Sequence, residues 1–278
     1  MGVKLAALAA AGLVASTPAG YLQGRQAANG GFVEPTGSSG PQLTAWAALG
    51  LKASGASTGR ALDYLSAHEG ELTETTDVEL VAIAESALGR KPDRLLARIR
   101  SAQRSSGAIG PTVNSTMWGI LALRQAGLPA PRGAVRFVLR KQARSGGWSW
   151  YAGGSPDSND TAAAIQALRA AGVGGVPVRR GLAYLLRLRN RDGGFELTPG
   201  RGSDTQSTAW TIQAFAAAHR PAPRGTLAYL RSMRRADGSF RYSRRYATTP
   251  VWVTAQVLPA LAGRAFPLRS SRVKYSST

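Results

Sequence analysis

Residues 132–148 read Arg132-Gly133-Ala134-Val135-Arg136-Phe137-Val138-Leu139-Arg140-Lys141-Gln142, followed by Ala143-Arg144-Ser145-Gly146-Gly147-Trp148. The first part is a helix with one apolar stripe. Val135, Val138 and Leu139 fall at i, i+3 and i+4, with Arg136 and Arg140 beside them. Ser145-Gly146-Gly147 stops it, because glycine accepts the positive φ at which a helix ends. Trp148 then anchors the loop by burying its ring. Asp157 to Thr161 supply caps for a second helix, which runs from Thr161 to Ala171 and closes at Gly172.

The same turn recurs at Asn29-Gly30-Gly31-Phe32, Ser106-Gly107-Ala108-Ile109, Asp192-Gly193-Gly194-Phe195 and Asp237-Gly238-Ser239-Phe240. From Gly30 to Gly107, Gly146, Gly193 and Gly238 the steps are 77, 39, 47 and 45 residues. The first step is close to two periods, so a degenerate unit lies within it. A period near 40 residues marks a repeat architecture. Six units follow: 21–55, 61–89, 95–127, 133–172, 181–219 and 225–263. The second keeps Asp63-Tyr64-Leu65 and a helix from Val78 to Gly89 but lacks the aromatic turn.

Within each unit the second helix is apolar almost all round, as in Ala45-Trp46-Ala47-Ala48-Leu49 and Thr161-Ala162-Ala163-Ala164-Ile165. Such a helix is buried on several sides, whereas its Arg-bearing partner has one wet face. Two alternating helix classes predict an all-α fold in two concentric layers. A ring of six hairpins buries the ends that a short solenoid would expose.

The chain has 278 residues and a net charge of +20, with 30 Arg and 5 Lys against 15 acids. The Arg residues are spread over nearly every unit; the densest stretch is Arg231 to Arg245. They predict a solvated basic exterior, with attachment to an anionic envelope polymer as the functional alternative. Cysteine is absent, which excludes disulfides, thiolate zinc sites and thiol nucleophiles. Residues 1–20 read as a secretory signal: Lys4, an apolar run from Leu5 to Ala15, then Ser16-Thr17-Pro18-Ala19. A first Ala-rich helix of the fold is the other reading of that run. Residues 21–265 are the repeat domain, and 266–278 a basic, Ser-rich tail expected outside the ring. An exported or envelope location makes nucleic acid the least fitting partner.

The pattern Arg132-Gly133-x-x-x-Phe137-Val138-x-x-x-Gln142-x-x-x-Gly146-Gly147-Trp148 resembles the QW repeat of squalene and oxidosqualene cyclases. Arg180-Gly181 with Gly193-Gly194-Phe195 is a weaker copy, with Arg189 in the Gln place, and Arg224-Gly225 with Gly238-Ser239-Phe240 is another. The resemblance spans Tyr21 to Gly263. It implies the α/α toroid of terpenoid cyclases, protein prenyltransferase β-subunits and intrinsic-factor-type cobalamin carriers. A fold of this kind hosts unrelated chemistries.

Class II cyclases of that family carry Asp-x-Asp-Asp before Thr-Ala, the middle Asp protonating an alkene or epoxide. The matching string is Asp157-Ser158-Asn159-Asp160-Thr161-Ala162. Asn159 stands at the donor position, and an amide cannot supply that proton. Asp157 and Asp160 remain as candidate acids. Asn114-Ser115-Thr116 and Gln206-Ser207-Thr208 occupy the same register, which favours helix capping as the reason for polar residues there. The prenyltransferase zinc site needs Cys, and the only histidines are His68 and His219. No metal or cofactor is implied.

A binding surface is left. Trp46, Trp118 and Trp210 each stand two residues after a helix-starting Thr (Thr44, Thr116, Thr208), with Trp252 nearby in the sixth unit. They are expected at one mouth of the inner layer, as plug or as ligand rim. Gln166 and Gln213, five residues after their Thr, offer hydrogen bonds inside. The expected function is a binding or scaffolding module without catalysis, for an apolar, isoprenoid-like or corrinoid-like ligand or a protein partner. The alternative is a reduced terpene cyclase using Asp157 or Asp160.

Overall fold

In the computed structural model residues 17–268 are described, and they form twelve α-helices and one 3-10 turn at Glu69–Glu71, with no strand among them. The Leu5–Ala15 run lies outside the described residues, as does the tail beyond Leu268. Outer helices are α1 (Pro18–Gln23), α3 (Ala61–Ala67), α5 (Asp93–Ser101), α7 (Arg132–Arg140), α9 (Val176–Arg187) and α11 (Thr226–Ser232). Inner helices are α2 (Pro41–Ser54), α4 (Thr75–Ala87), α6 (Val113–Gln125), α8 (Ser158–Ala170), α10 (Thr205–Ala217) and α12 (Pro250–Leu261). The chain is all-α, an α/α toroid of six hairpins. Its inner helices are buried along nearly their whole length, from Ser158 to Leu168 in α8 with only Asn159 partly exposed. Outer helices bury one stripe, Ala134 and Val138 in α7. Pro18 opens α1 and Thr17 caps it, so residues 18–20, read as leader on sequence, belong to the first hairpin.

One hydrogen bond ties each turn to its inner helix. The backbone N–H after the two turn residues donates to the Thr hydroxyl of the inner helix: Phe32 to Thr44 at 2.9 Å, Ile109 to Thr116 at 3.1 Å and Trp148 to Thr161 at 3.0 Å. Phe195 to Thr208 and Phe240 to Thr254 repeat it at 2.9 Å each. In the turnless second unit the register position is Val78, where no N–H needs an acceptor. The turn residues Phe32, Ile109, Trp148, Phe195 and Phe240 are buried, and Trp148 Nε1 donates to the Val138 carbonyl at 2.8 Å.

Turns also join neighbouring units. Gly146 has φ +94, and a Cβ there would stand 2.6 Å from the Arg180 carbonyl of the next outer helix. Gln142 bridges the same joint, its Nε2 donating to Gly146 O at 2.8 Å and Pro177 O at 2.9 Å. Gln26 does this for the first unit, and Arg189, in the Gln place, donates to the Arg224 carbonyl. Several other Arg side chains are inter-unit clamps rather than free solvated charge. Arg124 Nε donates to Ala170 O at 2.9 Å and Arg169 Nε to Ala217 O at 3.2 Å, each capping the C-terminus of the next inner helix.

The ring closes where α12 meets α2. Their backbones approach at Gly50, where a Cβ would lie 2.5 Å from the Ala255 carbonyl. Glu34, from the first unit, accepts the N–H groups of Val251 at 3.0 Å and Trp252 at 2.9 Å, capping α12. In three other joints a loop carbonyl two residues after the turn ring has this role: Trp150 O for α6, Leu197 O for α8, Tyr242 O for α10. The closing joint uses a carboxylate instead.

Candidate functional site

The Thr register defines the site. Two residues before Thr44, Val78, Thr116, Thr161, Thr208 and Thr254 stand Gln42, Thr76, Asn114, Asn159, Gln206 and Trp252. Two residues after them stand Trp46, Leu80, Trp118, Ala163, Trp210 and Gln256. Both sets, one residue per inner helix, line a single cavity of about 340 Å³ at the N-terminal ends of the inner helices.

The lower set alternates large and small, because six indoles do not fit around one axis. Trp46, Trp118 and Trp210 come from α2, α6 and α10 and meet edge to face, with centroids 5.5, 5.5 and 5.7 Å apart. Each such pair contributes about 0.5–1.5 kcal/mol beyond area burial. Leu80, Ala163 and Gln256 fill the gaps, and Gln256 Oε1 accepts Trp210 Nε1 at 2.8 Å. Phe266 packs behind this floor, 6.2–6.3 Å from all three indoles. The tail therefore starts inside the ring, not outside as the sequence suggested. Phe266 and Leu268 are buried, and Gln166 and Gln125 hold their backbones. The hole is thus a bowl, open at the inner N-termini and closed below.

Of the expected site residues, Trp46, Trp118 and Trp210 form the floor, and Trp252 joins the rim at 6.0 Å from Trp46. Gln166 and Gln213 lie below the floor and outside the cavity lining. Gln166 Oε1 accepts Phe266 N–H at 2.8 Å, and Gln213 Nε2 donates to Gln256 O at 3.1 Å. Sequence reasoning missed Trp150 and Leu197, which reach the bowl from loops, and Asp77, from the degenerate unit. The signal was the register itself: two residues beyond the turn ring for the loops, one before Val78 for Asp77.

The two acids of the Asp-Ser-Asn-Asp string part company. Asp157 caps α8, its carboxylate accepting Asp160 N–H at 2.8 Å. Asp160 caps nothing. It is 4% exposed, lines the bowl, and accepts Asn114 Nδ2 from α6 at 2.6 Å. Burial first, then the Asp157 carboxylate beside it, pushes its carboxyl up to about 8, so it holds a proton at neutral pH. Asn159 also faces the bowl. Caps expected from Asn114 and Gln206 are supplied by Thr112 and Asp204, which frees those two amides to line the cavity. Asp77 is held by Gln42 at 2.9 Å, and burial raises its carboxyl too. Among the described residues no cluster of His, Cys, Asp or Glu is arranged to hold a metal ion.

No protein-family profile matches the chain, and no curated protein is similar to it in sequence. Solved structures are. A protein from Actinoplanes superposes with TM-score 0.69 at 20% identity, over 92% of this chain and 98% of that one. A type II terpene cyclase from Scytonema, in complex with its substrate geranylgeranyl dihydroxybenzoate, gives 0.64 at 15%, over 95% and 99%. Candida albicans protein geranylgeranyltransferase-I, complexed with GGPP, gives 0.60 at 11%, over 80% and 83%. At these identities the likeness shows the fold: the α/α toroid of terpenoid cyclases and protein prenyltransferases.

Proposed function

We propose that this toroid is a binding module whose bowl takes an apolar, isoprenoid-like ligand and leaves it chemically unchanged. The observation that carries this reading is the blind bowl: three interlocked indoles backed by Phe266 close one side, while about 340 Å³ stays open on the other. Small-molecule sites are concave, mostly apolar and of about 300–1,000 Å³, with a few convergent polar groups. Two structures of the same fold hold geranylgeranyl compounds. Asn159 in the donor place and the commitment of Asp157 to capping argue against proton-initiated cyclisation. With the leader read in the residues before Thr17, the module works outside the cytoplasm, in or beyond the envelope.

One observation favours a second reading. The Asp160 carboxyl is protonated at neutral pH and opens on the same bowl, as an acid for alkene or epoxide protonation must. A raised pKa keeps the proton in place but makes it a weaker donor, which is why binding is the first reading. Titrating intrinsic Trp fluorescence with geranylgeraniol and squalene, then analysing both for products, separates the two. Saturable quenching without product supports binding. Product that Asp160→Asn abolishes establishes the cyclase reading, and no quenching sinks both.

A further inference from the structure

We infer that the ligand of this bowl carries a positive charge: the site is built for an organic cation, an alkylammonium-type head on an apolar body. This rests on the apolar-ligand reading and narrows it. The chain as a whole is +20, with 35 basic residues against 15 acids. Among the bowl's lining residues that balance inverts. Asp77, Asp157 and Asp160 line it, and no Lys, Arg or His does. Five of the six Trp residues, Trp46, Trp118, Trp150, Trp210 and Trp252, supply the walls and floor. Indole faces attract cations through the ring quadrupole, best when water is excluded, and aromatic cages with a carboxylate nearby are the usual receptor for quaternary ammonium groups.

A separate observation marks the rim as unfilled. Asn114 is 6% exposed and faces the bowl. Its Nδ2 is committed to Asp160, but its Oδ1 has no partner. A buried carbonyl oxygen without a donor is destabilising. An ammonium head placed above Asp160 would meet its carboxyl, and a turn of the Asn114 amide would bring that oxygen to the same head.

Binding would be linked to a proton. Asp157 and Asp160 are adjacent on α8, and the charge of the first helps to hold the second protonated. Beside the pair stand Asn114 from α6 and Tyr184 from α9, whose hydroxyl donates to the Pro156 carbonyl, and Asp77 from α4 lines the same bowl. From α2, α10 and α12 come only Gln42, Gln206, Gln256 and indoles. Arg187 stacks on Tyr184, 5.3 Å from its ring centroid, but does not line the bowl. A bound cation therefore has no rival for the Asp160 carboxylate, and its arrival expels the proton.

The test uses the intact chain and three probes of one shape: a geranyl chain ending in trimethylammonium, in tert-butyl, or in diphosphate. Calorimetry in buffers of different ionisation enthalpy reads affinity and proton release together. The expected result is ammonium binding at least tenfold tighter than tert-butyl, diphosphate weakest, and release of up to one proton between pH 6 and 8. Asp160→Asn should reduce the preference for ammonium over tert-butyl several-fold and abolish the proton release. Equal affinities for ammonium and tert-butyl, or a preference for diphosphate, overturn the cation inference while the apolar-ligand reading stands. Failure of all three probes to bind overturns both. The comparison among probes is made on the unsubstituted protein, so it survives a variant that does not fold.

Discussion

Thr161 accepts the backbone N–H of Trp148 at 3.0 Å, and this bond fixes where each inner helix begins relative to its turn. It buries an N–H that nothing else in the unit is placed to satisfy. Thr161→Val keeps the shape and removes the acceptor, so it should cost about 1–3 kcal/mol. Urea denaturation at neutral pH measures it. Val78→Thr is the counterpart: with no turn N–H to receive, it should bring no gain. A stabilising Val78→Thr, or a neutral Thr161→Val, would remove this bond from the account of the repeat.

The turn glycines differ in what a side chain would meet. Gly146 and Gly153 both have positive φ, +94 and +84, but a Cβ at Gly146 lies 2.6 Å from the Arg180 carbonyl and one at Gly153 meets open space. Gly153→Ala should cost about 1–2 kcal/mol, the left-handed backbone penalty alone. Gly146→Ala should cost clearly more, because the joint between two hairpins must open. Equal losses in paired denaturation curves would mean the units are not packed through this turn.

Closure of the ring depends on Glu34. Its carboxylate takes two N–H groups at the start of α12, so Glu34→Ala should lower stability by about 1–2 kcal/mol, the size of a lost helix cap. Glu34→Gln, which keeps one acceptor, should lose less. Amide exchange should quicken first in α12 and α2. Faster exchange spread evenly over all six inner helices would contradict a local closing joint.

Asp160 makes stability fall as pH rises. Its carboxyl sits at about 8 in the folded chain against an ordinary 3.8, so the folded state binds this proton more tightly. Its contribution is complete below pH ~4 and is lost as pH rises through 8. Glu79, fully buried with both oxygens unpartnered and raised well above the usual range, acts with the same sign. The difference between Asp160→Asn and the parent protein isolates Asp160. The midpoint of the variant relative to the parent should climb from pH 5 to pH 9, and a flat or falling difference contradicts a protonated Asp160.

Much of this was legible in the chain because it follows from local spacing. The turn glycines, the Thr lead and the Ala-rich inner helices gave six hairpins in two layers, and a fixed register made Trp46, Trp118 and Trp210 equivalent. What escaped was long range. Asn114 meets Asp160 across 46 residues and Phe266 reaches Gln166 across 100, and no local pattern encodes either. The small residues Leu80 and Ala163 look like ordinary core until the ring is closed. Only then do they become the gaps that let three indoles interlock and leave a bowl above them. Asp157 and Asp160 look alike in sequence. Their difference comes from helix position: one sits at the N-cap, the other one turn inside, facing the axis.

The claim that the bowl is a ligand site has its most direct test at Ala163, the smallest member of the floor set and 2% exposed. Geranylgeraniol binding is followed by Trp fluorescence in the parent protein and in Ala163→Phe, with a denaturation curve showing that both are folded. The account predicts saturable quenching in the parent and a loss of at least tenfold in affinity in the variant, whose new ring occupies the bowl. Undiminished binding by a folded Ala163→Phe would place the ligand elsewhere and contradict the account.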